Sequence, residues 1–182
     1  MHALVVGGTG MLKDVCLSLN QQRYITTVIA RDPNRMNTLV SESTYSDLIK
    51  RLLVDWNDQD KLLKALKQTM DENGPFDLVV YWSAGDALPK ILDLIGGWKK
   101  EKQWDLYHVK GSMASRPETR NIPVVPSHCR YHEIILGFQL QADGARWLTH
   151  EEISTGVIDA IEKQRDQKII GTVEPWNRRP SW

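Results

Sequence analysis

Ala3-Leu4-Val5-Val6-Gly7-Gly8-Thr9-Gly10-Met11-Leu12 is the stretch that decides how this chain is read. Ala3 to Val6 make a short apolar strand, glycines follow at positions 7, 8 and 10, and Met11, Val15 and Leu19 then recur at helical spacing. A strand, a glycine turn and a helix whose first N–H groups are unpaired form a ready anion site, and the usual anion there is a dinucleotide pyrophosphate. A second apolar run, Thr26 to Ala30, follows about twenty residues on. The plainer alternative is a glycine turn that only connects a strand to a helix.

Outward from this stretch the pattern alternates. The first helix is expected over about Met11 to Gln22, and Tyr24 to Ala30, rich in β-branched residues, is strand-like. Pro33 suits the first turn of a short second helix with Asp32 as its cap, and Met36, Leu39 and Val40 give that helix an apolar side. Ile49 to Val54 reads as a third strand. Asn57 or Asp58 caps a third helix carrying Leu62, Leu63, Leu66 and Met70, which Asn73-Gly74-Pro75 stops. Phe76 to Trp82 is a strand apolar on both faces, followed by Ser83-Ala84-Gly85, a helix from about Asp86 to Ile95 ending at Gly96-Gly97, and a fifth strand at Trp104 to Val109. This alternation predicts an α/β fold: a doubly wound parallel sheet in three α/β/α layers, a Rossmann fold, in a single domain over residues 1–182.

From Lys110 the regularity lapses. Pro117, Pro123 and Pro126 leave little room for a long helix before Ser127, so that segment reads as a loop with one short extended piece at Ile122 to Val125. Arg130 to Leu140 is the longest strand candidate, and Asp143-Gly144 signals a hairpin that returns Ala145 to Leu148 beside it. Thr149 and Glu152 are spaced as a capping box for a helix with Ile153, Val157, Ile158 and Ile161, and Lys168 to Val173 is a last strand. The tail from Glu174 carries prolines, arginines and tryptophans in pairs.

Composition narrows the function. At 182 residues the chain suits one domain of ordinary size, and a formal net charge of zero gives no field to attract nucleic acid or an acidic membrane. Cys16 and Cys129 lie far apart without metal spacing, as expected in a reducing compartment. The apolar start lacks a basic lead-in and breaks at glycines, so neither a secretion signal nor a membrane span fits, and a cytoplasmic location is expected.

Gly7, Gly8 and Gly10 resemble the cofactor loop of the short-chain dehydrogenase/reductase superfamily, in particular the extended and atypical members with the spacing Gly-x-x-Gly-x-x-Gly. Gly7 and Gly10 match its first two glycines and Lys13 stands at the third. The resemblance implies an NAD(P)-binding oxidoreductase of a small-molecule substrate and a dimer or tetramer. Arg130 to Leu140 and the tail would supply such an interface, or would complete the chain's own sheet. It further implies that Asp55, ending the third strand, accepts from the adenine amino group, and that Ser83-Ala84-Gly85 lies near the nicotinamide-side ribose.

Arg31 ends the second strand where an acid would bind the ribose hydroxyls of NAD, and Arg35 follows one turn on. Planar guanidinium donors pair with two phosphate oxygens at once, so NADP is favoured over NAD. The alternative is that both are solvated surface charges. The expected cofactor contacts are therefore Gly7, Gly8, Thr9, Gly10, Met11, Leu12, Arg31, Arg35, Asp55, Ser83, Ala84 and Gly85. The superfamily's Tyr-x-x-x-Lys is absent: Tyr107 and Lys110 are three apart, and the proline-rich segment stands where the catalytic helix belongs. Ser112 takes the serine-like position, while His108, Tyr131 and His132 are proton-donor candidates expected at or near strand ends. His128-Cys129-x-x-His132 lacks a fourth ligand, and no metal is expected. Two readings follow: an oxidoreductase with a non-standard proton donor, or a non-catalytic NADP-binding sensor. A Rossmann domain with no ligand is the third.

Overall fold

A computed structural model describes residues 1–82, 86–98 and 102–181. Strands β1 (His2–Val6), β2 (Ile25–Ala30), β3 (Ile49–Leu53), β4 (Leu78–Tyr81), β5 (Trp104–Gly111), β6 (Cys129–Leu136) and β9 (Gln167–Ile170) form one sheet in the order β3-β2-β1-β4-β5-β6-β9. Every pairing in it is parallel. β7 (Phe138–Gln141) and β8 (Gly144–Trp147) form a separate antiparallel hairpin. The doubly wound parallel sheet expected from the alternation is the fold observed.

Both faces of the sheet are covered, which is why β1 and β4 are buried along their whole length. On one face Val15, Cys16 and Leu19 of α1 (Lys13–Gln21), Met36 and Leu39 of α2 (Pro33–Glu42) and Ile153, Val157 and Ala160 of α5 (His150–Glu162) pack on Val5, Val28 and Ile134. On the other, Leu62, Leu66 and Met70 of α3 (Gln59–Asn73) and Ile91, Leu92 and Ile95 of α4 (Leu88–Trp98) pack on Leu4, Val79 and Leu106. Each face buries one free thiol, Cys16 on the first and Cys129 on the second. Burial pushes both thiols up, Cys129 to about 12. Among the described residues no helix is long and apolar enough to cross a membrane.

The capping signals act as read. The Asp32 carboxylate accepts from the Asn34 and Arg35 amides at 2.8 and 3.2 Å, with Pro33 opening α2. Thr149 and Glu152 form a reciprocal capping box at α5, with N···O distances of 2.8 and 3.2 Å.

Four expectations need correction. The first helix begins at Lys13, because the glycine turn continues through Leu12. α4 runs through Gly96-Gly97 to Trp98; a Cβ at Gly96 would lie 2.6 Å from Pro126 Cγ, so this glycine admits the proline-rich loop rather than ending the helix. Ile122 to Val125 forms no strand, and Val124 is 95% exposed. Arg130 to Leu140 is two strands divided at Gly137, where a Cβ would meet Thr172 O at 2.1 Å. Between β5 and β6 the chain makes only a 3-10 turn at Ser112–Ser115 and a loop, with no crossover helix. β6 is an interior strand between β5 and β9, so this segment completes the chain's own sheet.

Candidate functional site

The carboxyl ends of β1, β2 and β4 open onto a cleft of about 630 Å³. Gly7, Thr9, Gly10 and Met11 line it from the turn, Arg31, Asp32 and Arg35 from the end of β2 and the start of α2, and Trp56, Trp82 and His150 close it. Each glycine has its own reason. Gly7 has φ +83°, and a Cβ there would lie 2.9 Å from the Trp82 carbonyl oxygen. Gly10 faces open space, its nearest neighbour being Gly7 O at 4.0 Å from a would-be Cβ. Gly8 is turned inward: a Cβ would lie 2.6 Å from Cys16 Sγ and 2.8 Å from Val28 Cγ1. Gly8 thus gives the close helix–sheet contact that the family's third glycine provides, leaving Lys13 free to turn out to Glu42 at 2.7 Å.

Leu12, expected among the cofactor contacts, has its side chain in the core at 0% exposure, and as the residue before α1 it provides no side-chain cap. The Lys13 amide, first of the helix, donates to Gly10 O at 3.0 Å, so it is the turn before the helix that faces an anion in the cleft. The turn is held from behind by Ser154 of α5, whose hydroxyl donates to Met11 O at 2.7 Å.

Arg31 lies over the Trp56 indole at 4.5 Å and has no carboxylate partner among the described residues. Arg35 reaches Asp32 at 3.6 Å with both side chains largely exposed. Asp32 lines the cleft too, but its Oδ1 caps α2 and its Oδ2 faces Arg35. Two guanidinium groups, a tryptophan face and a glycine turn are the donor set that a 2′-phosphorylated adenosine requires. Asp55 does not line the cleft: it is exposed and accepts from the Asn57 amide at 2.9 Å, a local turn that directs it away and brings Trp56 in. Ser83, Ala84 and Gly85 lie outside the described residues.

Met11, Trp82 and His150 also line a second cavity of about 470 Å³, at the ends of β5 and β6. It is mostly apolar, with Met113, Leu136, Trp147 and Leu148 among its walls and Ser112 and Arg179 as polar groups. Ser112 is 3% exposed and its Oγ accepts from Arg179 Nε at 2.9 Å. That bond leaves the serine hydroxyl hydrogen to point elsewhere. The two cavities adjoin along the sheet's carboxyl edge, with Met11, Trp82 and His150 as shared walls, where open α/β sheets bind ligands.

Of the other proton-donor candidates, Tyr131 and His132 lie back from this edge, which corrects their expected place at a strand end, while His108 of β5 stands level with Tyr81, the last residue of β4. Tyr131 and His132 fall in the first half of β6; Tyr131 is five residues before Leu136, roughly 16 Å of strand. Tyr131 donates to or accepts from His108 Nδ1 at 3.2 Å, in the middle of the sheet. Burial, and then the charge of Lys110, push His108 down to about 4. His132 stacks on Tyr107 at 4.3 Å with both ring nitrogens engaged, by Asp105 at 2.8 Å and the Arg165 carbonyl at 3.1 Å. His108 lines a third cavity with Lys110 and Asn121, across the sheet from α5 and under the loop that replaces the crossover helix.

Strand order, glycine turn and the cavities at the sheet's carboxyl edge define a Rossmann-fold protein built like the short-chain dehydrogenase/reductases. Among solved structures, an alcohol dehydrogenase from the archaeon Thermococcus sibiricus complexed with 5-hydroxy-NADP is similar with a TM-score of 0.71 at 14% identity, over 100% of this chain and 99% of that one. The bulky-bulky ketone specific alcohol dehydrogenase from Comamonas testosteroni gives 0.68 at 12% identity, over 97% and 89%. A short-chain dehydrogenase/reductase, glucose/ribitol dehydrogenase, from Brucella melitensis gives 0.68 at 10%, over 92% and 93%. At these identities the likeness is one of fold. No protein-family model and no curated protein sequence matches the chain.

His150, Ser154 and Arg179 stand at the site without having been expected there. Trp56 follows Asp55 directly and was legible as a pocket aromatic. Arg179 is 67 residues from Ser112, and only the tail's paired arginines and tryptophans hinted at a role.

Proposed function

We propose that the chain is an NADP-dependent oxidoreductase of the short-chain dehydrogenase type, acting on a small carbonyl substrate without the Tyr-x-x-x-Lys pair. The observation that carries this reading is the pair of adjoining cavities, one with Arg31 and Arg35 and the other with Ser112, that share Met11, Trp82 and His150 as walls. Bound NADPH would supply the hydride. The turn before α1, at Gly7, Thr9, Gly10 and Met11, holds the pyrophosphate, and Arg31 and Arg35 the 2′-phosphate. Trp82 and Met11 form the wall shared by cofactor and substrate. Ser112 donates its hydroxyl hydrogen to the substrate oxygen, and the Arg179 N–H on its Oγ makes that hydroxyl a better donor as negative charge develops on the oxygen. Two free, buried thiols support a reducing, cytoplasmic setting.

Quenching of tryptophan fluorescence by NADPH, tighter than by NADH, is the expected result, since Trp56 and Trp82 line the cleft. Arg31→Ala weakens NADPH by about 1 to 3 kcal/mol and NADH much less, and an equal loss for both would refute the 2′-phosphate assignment. A non-catalytic NADP-binding regulator is the second reading, favoured by the missing crossover helix between β5 and β6. Turnover of NADPH over a panel of aldehydes, ketones and enones separates the two.

A further inference from the structure

The cavity at Ser112 has a charge imbalance that the hydride chemistry alone does not explain. Among its described lining residues there is a guanidinium, Arg179, and no carboxylate. Arg179 is half-buried and forms no ion pair with a described residue, whereas arginines of the turn after β5, the hairpin and the tail have partners. Arg116 pairs with Glu118 at 2.9 Å, Arg146 grips both oxygens of Glu152 at 2.8 Å, and Arg178 donates to the carbonyls of Gln141 and Gly144 at 3.2 and 3.1 Å. Arg179 uses only its Nε, on Ser112.

The position of Arg179 is set by more than that bond. Its guanidinium lies over the Trp147 indole at 4.8 Å and over Trp176 at 5.3 Å, so the plane is held by two aromatic faces while its terminal nitrogens make no hydrogen bond to a described residue. A half-buried cation in an apolar wall is costly without an anion, and a preoriented guanidinium edge is the group that takes a carboxylate in two parallel bonds. The rest of the wall, with Met11, Trp82, Leu136 and Leu148, suits a flat apolar body.

From this we infer that the cavity binds an aromatic or apolar 2-oxo acid, with its carboxylate on the terminal nitrogens of Arg179 and the adjacent keto oxygen on the Ser112 hydroxyl. Nε and Oγ are only 2.9 Å apart, so the two anchors are adjacent, as the carboxylate and keto oxygens of a 2-oxo acid are. The inference rests on the oxidoreductase reading for the fate of that acid. There the keto π bond breaks, hydride from NADPH forms the new C–H bond at C2, and the oxygen takes the Ser112 proton, which solvent replaces. The products are the 2-hydroxy acid and NADP⁺.

The test uses the full chain with benzoylformate, its neutral analogue benzoylformamide, and phenylacetate, which lacks the keto oxygen, each followed by calorimetry at millimolar concentration. The wild-type protein is expected to prefer benzoylformate to the amide by about tenfold or more, the ratio expected of a charge-assisted bidentate pair. Arg179→Gln should bring the two within about twofold while NADPH binding in the glycine cleft is kept, and Arg179→Lys should restore part of the preference. Ser112→Ala should keep the preference for the acid over the amide but lose that for benzoylformate over phenylacetate. Near-UV circular dichroism separates a lost anchor from a lost fold, and should Arg179→Gln fail to fold, Arg179→Lys and Ser112→Ala decide. No binding of benzoylformate, no wild-type preference, or a preference that survives in Arg179→Gln would each overturn the inference. If the preference behaves as expected but NADPH does not bind, the anchor stands and the oxidoreductase reading falls. If NADPH binds and the preference is missing, the anchor alone falls.

Discussion

Gly8 and Gly10 sit two residues apart and answer to different constraints, which substitution should separate. Gly8→Ala places a methyl against Cys16 Sγ and Val28 Cγ1 and is expected to cost about 1 to 3 kcal/mol of stability, read by urea denaturation. Gly10→Ala meets nothing closer than 4.0 Å, so stability should change by less than about 0.5 kcal/mol while NADPH affinity falls, because the methyl enters the space a pyrophosphate needs. The reverse pattern would move the anion site off this turn. Gly7 and Gly10 were legible because strand, turn and helix are contiguous, so local spacing carries the information. The role of Gly8 was not, since it depends on where Cys16 and Val28 meet in three dimensions. Arg179 was illegible for the same reason: its partner is in the turn after β5 and its aromatic supports are on the hairpin and in the tail.

At the scale of elements, what replaces the missing crossover helix is a knot of charge. Glu133 on β6 has a side chain 2% exposed and takes Lys110 of β5 at 2.8 Å, Arg120 of the loop at 2.7 Å and Gln167 of β9 at 3.0 Å. One carboxylate thereby ties two neighbouring strands and the proline-rich segment to β6. Removing it strands Lys110, whose side chain is 9% exposed, so Glu133→Ala is expected to cost about 3 kcal/mol. Glu133→Gln should cost less, and tryptic cleavage after Arg120 should quicken in the alanine variant first. Helices with a cap and a periodic apolar side, such as α2, α3 and α5, were readable in advance. Gly96 misled because a glycine that admits another part of the chain looks in sequence like one that ends an element, and Gly137 because a glycine inside an apolar run does not show that it divides two strands.

The whole molecule should weaken on mild acidification. His108 is held neutral in the fold, first by burial and then by Lys110, so its folded pKa of about 4 lies below the ordinary 6.5. As pH falls from 6.5 towards 4 the unfolded chain takes up a proton that the native chain does not, and stability is lost across that window. His2, also lowered by burial, adds with the same sign. After allowing for solvent screening the His108 share is on the order of 1–2 kcal/mol, and His108→Asn should flatten the slope of unfolding free energy against pH between 6.5 and 4.5. An unchanged slope would mean that His108 is already hydrated in the native state. Cys16 and Cys129 lie on opposite sides of the sheet, both sealed and both far from ionising at neutral pH. An alkylating reagent therefore reaches each one only when its own layer breathes, and the native chain carries a separate chemical clock for each half of its sandwich.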